Sequence, residues 1–416
     1  MRSLFFLTIL LALDIYGFQA FRYLVQNWSV TARNIMYGLY WAIPVLAIGT
    51  LIVVNTIDVS DWNANFKTYW RTFLFIAYIS KLPLVSVLLI DDLRRGVLWL
   101  VSQFSGDGMR DLSRSKFLTR TAIVLGALPF TSLLYGMVRN PYRYKRYRES
   151  LTLQKLPKSL DGLKIIQISD IHSGSFTFKE PIKQAIELIN AEKPDLVFFT
   201  GDLVNNVAAE MQPYVDIFDK IEAKYGVYSV LGNHDYGDYE RWPSPEAKKE
   251  NMELLKDTHK RLGWDLLLNE HRHIEINGEK VAVIGVENYS MHLRFPKYGD
   301  LEAACENCGP VALKLLLSHD PSHWEGQVIK DQPDIDITFS GHTHGMQFGV
   351  EIPGWFSWSP IQYVYKQWAG MYQKGEQYLY VNRGLGFLGY PGRVGILPEI
   401  AVLELKSAKN ADRSLG

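Results

Sequence analysis

The sequence predicts two joined architectures, an all-α membrane region of four spans followed by a layered α/β domain. Three observations carry that reading. Apolar runs near the ~20 residues needed to cross a bilayer crowd the first 140 residues. From Leu163 onward, short β-branched runs alternate with helical stripes, the pattern of a layered α/β domain. Five of those strand-like runs open, directly or after one glycine, into Asp, Asn or His, at the strand ends where α/β sheets hold their chemistry.

The predicted spans are Leu4 to Phe21, Ile35 to Ile57, Phe73 to Ile90 and Thr121 to Val138. Asp14 interrupts the first, yet no small-residue cleavage site follows Leu13, so it reads as a retained helix rather than a signal peptide. Pro44, Pro83 and Pro129 fall inside spans, where neighbouring helices can satisfy the freed carbonyls. Lys81 stands mid-span and reads as structural glue, paired with a buried carboxylate.

Basic residues divide evenly between the two sides of these spans, so their count sets no orientation. The stretch Ser113 to Thr119 looks like a degenerate twin-arginine export signal, with Ser115 where the second arginine belongs. Read instead as a plain basic flank from Arg110 to Arg120, it still keeps the amino-terminal end of the fourth span in the cytoplasm. The expected location is therefore a multi-pass protein of the cell (inner) membrane with its catalytic part extracytoplasmic. The opposing signal is the cluster Arg139 to Arg148 after the last span.

The organisation expected is a transmembrane region over 1–140, a basic juxtamembrane connector over 141–160, an α/β domain over 161–406 and a polar tail over 407–416. In the connector Arg143, Lys145, Arg146 and Arg148 interleave with Tyr142, Tyr144 and Tyr147. Beside a membrane span that pattern reads as headgroup contact rather than nucleic-acid binding. Charge supports the exclusion: 44 basic residues balance 44 acidic ones, and the pI is near 7.2.

Within the domain, Leu163 to Ser169 ends in Asp170-Ile171-His172, and Asp195 to Thr200 ends in Gly201-Asp202. Val227 to Leu231 ends in Gly232-Asn233-His234-Asp235, Leu313 to Ser318 in His319, and Ile335 to Ser340 in Gly341-His342-Thr343-His344. Carboxylate, imidazole and amide oxygen suit borderline-hard divalent metals such as Mn, Fe or Zn. In this order and spacing the series resembles the calcineurin-like metallophosphoesterase superfamily, in a membrane-anchored bacterial form. The resemblance covers roughly residues 160 to 405.

That resemblance implies a four-layer α/β/β/α sandwich and two divalent metal ions. By it, Asp170, His172 and His344 hold one ion, Asn233, His319 and His342 the other, and Asp202 bridges them. It further implies hydrolysis of a phosphate ester or pyrophosphate by metal-bound hydroxide, with His234 as proton donor to the leaving oxygen and Asp235 orienting His234. The alternatives are a catalytically silent scaffold that keeps the fold, or a membrane sensor. The sequence departs from the usual pattern at Asn205 and Met346.

Other signals are weaker. Gly384 to Gly389 fits GxGxxG, but Tyr390-Pro391-Gly392 follows in place of a helix, so a close backbone turn near the metal centre is expected instead of a dinucleotide site. Cys305 and Cys308 have zinc-knuckle spacing but no second pair, and read as unpaired surface thiols or a local disulfide rather than a zinc site. His259, His271, His273, His292 and His323 lack partner motifs and read as structural or exposed. Trp355, Phe356, Trp358, Tyr363, Tyr365, Trp368 and Tyr372 crowd the segment after His344. Most would pack a loop, but those around Trp355 could enter a membrane interface, which points to a lipid or lipid-linked phosphate as substrate. No obligate protein partner is inferred.

Overall fold

The computed structural model describes residues 2–59, 62–105, 113–352 and 354–408. The chain divides into two compact units, Met1–Gly136 and Met137–Gly416. Arg110 and residues 409–416 of the expected polar tail lie outside the described residues.

The first unit is all helix: α1 (Arg2–Leu24), α2 (Val30–Thr56), α3 (Ala64–Ile79), α4 (Lys81–Ser105) and α5 (Lys116–Arg139). Among the described residues, four stretches are long and apolar enough to span a bilayer: Leu7–Leu24, Val30–Thr56, Asn65–Phe104 and Lys116–Arg139. The third is 40 residues long, twice what a crossing needs, because α3 and α4 follow one another with only Ser80 between them. Pro83 explains the break. Its ring excludes the carbonyl four residues back, that of Ile79, where α3 ends. The expected span Phe73 to Ile90 therefore straddles two helices.

Lys81 pairs with the buried carboxylate of Asp14, as structural glue. Tyr78 Oη also donates to Asp14 Oδ2 at 2.9 Å, so the charge that interrupts the first span has two partners. Near the middle of α4, Asp91 accepts from Arg94 at 2.9 Å and from the Ser115 amide at 3.1 Å. Asp92 pairs with Arg95 and with Arg114, at 2.8 and 2.9 Å. Arg114, read from sequence as part of an export signal, thus closes an ion-pair network.

The second unit holds two six-stranded sheets. The first contains β1 (Lys145–Leu153), β2 (Lys164–Ile168), β3 (Leu196–Phe199), β4 (Val227–Ser229), β5 (Asp265–Leu266) and β14 (Glu399–Ser407), in the order β1-β14-β2-β3-β4-β5. The second contains β6 (Glu270–Ile276), β7 (Glu279–Gly285), β8 (Leu313–Leu317), β9 (Ile337–Ser340), β12 (Gly370–Lys374) and β13 (Gln377–Val381), in the order β12-β13-β9-β8-β7-β6. A hairpin of β10 (Val350–Ile352) and β11 (Phe356–Trp358) stands apart from both.

The cores show four layers. Ile165, Phe198, Leu315 and Phe339 belong to a cluster shared by both sheets. The other face of the first sheet packs on α6 (Glu180–Asn190), the single turn α7 (Val215–Phe218) and α8 (Pro245–Arg261). In α6 the stripe Ile182, Ala185, Ile186 and Ile189 is buried, as its helical spacing predicts. The outer face of the second sheet packs on α9 (Leu301–Cys305) and Trp324. The α/β/β/α sandwich is therefore present.

The expected connector is corrected. Residues 145–153 form β1, the edge of the first sheet, paired in parallel with β14. Charge is how natural sheets protect an edge, and that same charge made the segment read as a juxtamembrane linker. Two of its basic residues, though exposed, pair within the domain: Arg146 and Arg148 both bind Glu192, at 2.7 and 2.6 Å. Tyr147 Oη donates to Glu351 at 2.9 Å.

Candidate metal centre

Strand pairing brings the five motif-bearing ends together. β2, β3 and β4 are parallel neighbours in one sheet, with Ile168 beside Phe199 and Phe199 beside Ser229. β8 and β9 are parallel neighbours in the other, with Leu317 beside Phe339. All five therefore release their motifs along one edge of the sandwich. Asp170, His172, Asp202, His342 and His344 take left-handed backbone, with φ of 53°, 48°, 61°, 70° and 51°. Non-glycine residues adopt that conformation at a cost of about 1–3 kcal/mol each, and such strain collects at functional sites.

The glycines preceding the motif residues have a steric reason. A Cβ at Gly232 would lie 2.2 Å from Asp202 Oδ1, and one at Gly341 would lie 2.3 Å from Asp170 Oδ2. Only a bare backbone lets these loops pass the carboxylates.

Two groups of ligand atoms result: Asp170, His172 and His344, and Asp202, His319 and His342. In the first, His172 Nε2 and His344 Nε2 are 3.0 Å apart, and His344 Nε2 is 3.2 Å from Asp170 Oδ1. In the second, His319 Nε2 lies 3.2 Å from both Asp202 Oδ2 and His342 Nδ1. Asp202 Oδ2 also stands 3.6 Å from His172 Nε2, between the two groups.

Partners behind the ligands hold their orientation, as metal ligands require. His319 Nδ1 donates to the Thr200 carbonyl at 2.7 Å. His342 Nε2 reaches Tyr365 Oη at 2.9 Å, and that hydroxyl donates to Asp320 at 3.1 Å. Asn233 Nδ2 donates to Tyr239 Oη at 2.9 Å.

Divalent ions fit this donor set. Asn233 Oδ1 is buried and without a hydrogen-bond partner, a costly state for a polar atom unless a cation meets it. Burial opposes ionisation of Asp202, but the His319 and His234 rings outweigh it and hold the carboxyl well below its usual range. Burial likewise opposes protonation of His319, and Asp202 outweighs it to lift the ring to about 10.

The transmembrane-domain model of a probable calcineurin-like phosphoesterase matches residues 1–141, and the calcineurin-like phosphoesterase model matches residues 163–346. The uncharacterized metallophosphoesterase YkuE of Bacillus subtilis is 30% identical over 311 residues, covering 72% of this chain and 99% of that protein. The chain belongs to the calcineurin-like metallophosphoesterase family. A transmembrane protein with metallophosphoesterase domain from Danio rerio is 30% identical over 68% of this chain and 62% of its own length. The phosphodiesterase YaeI of Escherichia coli is 28% identical over 71% of this chain and 99% of its own.

In this metallophosphoesterase the role expected of Asp235 is corrected. Its carboxylate accepts from the amides of Gly232, Asp202 and Leu203, each at 2.8 Å, and of Val204 at 3.3 Å. Burial, then the charge of Asp202, pushes Asp235 up to about 7. The His234 ring is held elsewhere: its Nδ1 donates to the Asn205 carbonyl at 2.7 Å. Asn205 is one of the two positions where the sequence departs from the family pattern, and here its main chain supplies the contact.

The cleft over the site, about 180 Å³, is lined by His234, Arg294, Phe295, Ile361, Tyr365 and Leu388 as well as by ligands. Sequence reasoning missed Arg294, which lies in no motif, and Asp320, whose position right after His319 was a usable signal. The GxGxxG stretch does form a backbone turn at the centre: Leu385 and Gly386 donate to the carbonyls of Ser169 and Asp170, at 2.8 and 2.9 Å.

Proposed function

We propose that this metallophosphoesterase is a membrane-anchored enzyme that binds two divalent metal ions and hydrolyses a phosphate ester or pyrophosphate bond. The carrying observation is the convergence of Asp170, His172 and His344 on one side and Asp202, His319 and His342 on the other, with the buried, unpartnered Asn233 Oδ1 beside them. Asp170, His172 and His344 would hold one ion, and Asn233, His319 and His342 the other, with Asp202 shared. When bound, the ions supply charge neutralisation at the phosphoryl group and a water acidic enough to react near neutral pH.

The protein's own groups do the rest. Because Nδ1 of His234 is committed to Asn205, Nε2 is the nitrogen that carries and releases a proton, here to the leaving oxygen. Arg294 at the cleft wall offers a cation to the non-bridging oxygens. Tyr239 and Tyr365 keep Asn233 and His342 aimed.

The substrate class favoured is a lipid or lipid-linked phosphate. Supporting it, Trp355 is 81% exposed, Val350, Ile352 and Phe356 on its hairpin are also exposed, and Tyr363 in the turn that follows is 77% exposed. Tyr365 and Trp368, by contrast, pack inside with Ile396. Tryptophan and tyrosine on an apolar tip suit the lipid–water interface.

The test is a turnover screen of the full-length, Mn-loaded protein on a phosphomonoester, a phosphodiester and a pyrophosphate. Hydrolysis of at least one class is expected. A protein that binds two ions and turns over none of them would be a scaffold instead.

A further inference from the structure

One cluster of ligand-type side chains takes no part in the hydrolysis proposed above. His271 and His273 stand two residues apart on β6, so strand geometry sets both rings on one face of the second sheet. They pair with Ile284 and Ala282 of β7, whose side chains belong to the outer core that also contains Ala304 and Cys308. α9 and the turn after it cover that face. The turn is Cys305-Glu306-Asn307-Cys308-Gly309, closed by Cys308 N donating to Cys305 O at 3.1 Å. Asn307 and Gly309 take φ of 60° and 64°, which bends the chain sharply at the second cysteine.

One nitrogen from each ring and Cys308 Sγ lie within 4.8 Å of one another. Ligand atoms around tetrahedral zinc sit about 3.3–3.8 Å apart, from Zn–N of ~2.0–2.1 Å and Zn–S of ~2.3 Å, so only a small closure separates the two arrangements. The rings are already oriented. His271 Nδ1 donates to the Ala304 carbonyl at 3.0 Å, and His273 Nε2 donates to the Cys308 carbonyl at 2.8 Å. Each ring therefore keeps a lone pair on its other nitrogen, and a ligating histidine ordinarily donates its second nitrogen in this way. Two histidines bonded to backbone would need no thiol at their side, yet the turn delivers one, and both cysteines are free.

We propose that His271, His273 and Cys308 form a further metal site, structural in role, for a thiophilic divalent cation of tetrahedral preference, zinc foremost, with Cys305 of the same turn joining as the fourth ligand when the turn closes on the ion. A Cys-x-x-Cys turn facing two histidines is the ligand set of a closed zinc site. The second ligand pair, absent from the sequence around the cysteines, comes from a strand more than thirty residues upstream. Burial pushes both thiols up, Cys305 to about 12, so they stay protonated until a cation displaces two protons on binding. The site would fasten β6, the edge strand of the second sheet, to the turn that follows α9.

The experiment is cobalt substitution of the full-length protein in detergent under reducing conditions. None of the candidate ligands at the strand-end centre is a cysteine, so a thiolate-to-cobalt charge-transfer band reports this site alone. Wild type should show the band. His273→Asn, at an exposed position, should weaken cobalt binding there at least tenfold, and Cys308→Ser should remove the Cys308 contribution. By zinc analysis, His271→Asn with His273→Asn should lose one equivalent per chain, whereas Asp202→Ala should keep that equivalent. Absence of the thiolate band at saturating cobalt, or equal zinc content in wild type and the double histidine variant, would overturn the proposal. Neither result depends on turnover, so the hydrolase reading stands or falls separately.

Discussion

The ring of His234 is held by the main chain of Asn205, Nδ1 to carbonyl oxygen at 2.7 Å, and not by its sequence neighbour Asp235. Three substitutions should therefore part ways. Asp202→Ala should lose metal and activity together. His234→Ala should keep its metal and lose turnover by 10²-fold or more, most for leaving groups that need protonation. Asp235→Ala strips a buried acceptor from four backbone amides, each costing about 1–3 kcal/mol if left unpaired, and should lower thermal stability and metal content. Metal analysis beside kinetics and melting separates the three. Equal metal loss in the His234 variant would remove it from the acid role.

Arg294 is predicted to bind the phosphoryl group. A charge-assisted hydrogen bond is worth about 1.5–3 kcal/mol, so Arg294→Ala should lower kcat/KM by roughly 10- to 150-fold with metal content unchanged. Unaltered kinetics in that variant would leave the arginine a bystander at the cleft wall.

If the substrate is a lipid, acyl chain length should matter. Wild type is expected to prefer a long-chain over a short-chain form of one headgroup, and Trp355→Ala with Trp358→Ala should erase the preference without abolishing turnover of the short form. Indifference to chain length in wild type, with parental rates in the double variant, would point to a soluble phosphoester.

For topology, a reporter fused after Gly416 should register an extracytoplasmic location, from the basic flank before the fourth span. Activity of a cytoplasm-dependent reporter at that position would reverse the orientation and bring cytoplasmic substrates forward.

His259, buried behind Ser229 at 3.0 Å, is pushed down to about 3 by burial. The unfolded chain protonates this residue below about 6.5, while the folded one stays neutral to about 3. Its contribution is complete above pH 6.5 and declines as pH falls between those values, by up to about 1.4 kcal/mol per unit. Melting of wild type and His259→Leu at pH 7 and pH 5 should show a smaller acid-induced drop in the variant. Parallel drops would place the lability elsewhere.

Much of this was legible in the chain. The ligand motifs could be read because each is local: a β-branched run, a glycine that clears a carboxylate, then a donor. The apolar spans and the stripe of α6 are local too, set by residue spacing alone. Lys81 could be expected to find a carboxylate, since a lone charge in a span is untenable.

What spacing could not reveal was decided by long-range packing. β1 read as a linker because edge strands carry charge, and only its pairing with β14 shows it to be sheet. The partner of His234 is a backbone carbonyl from another loop, and a carbonyl has no signature in sequence. His271 and His273 meet Cys308 because strand alternation and the α9 turn put them on one face, although some 35 residues separate them. Local pattern determined which side chains this protein can offer; the pairing of its sheets decided which of them stand together, because contacts between distant strands depend on register and not on neighbours in the chain.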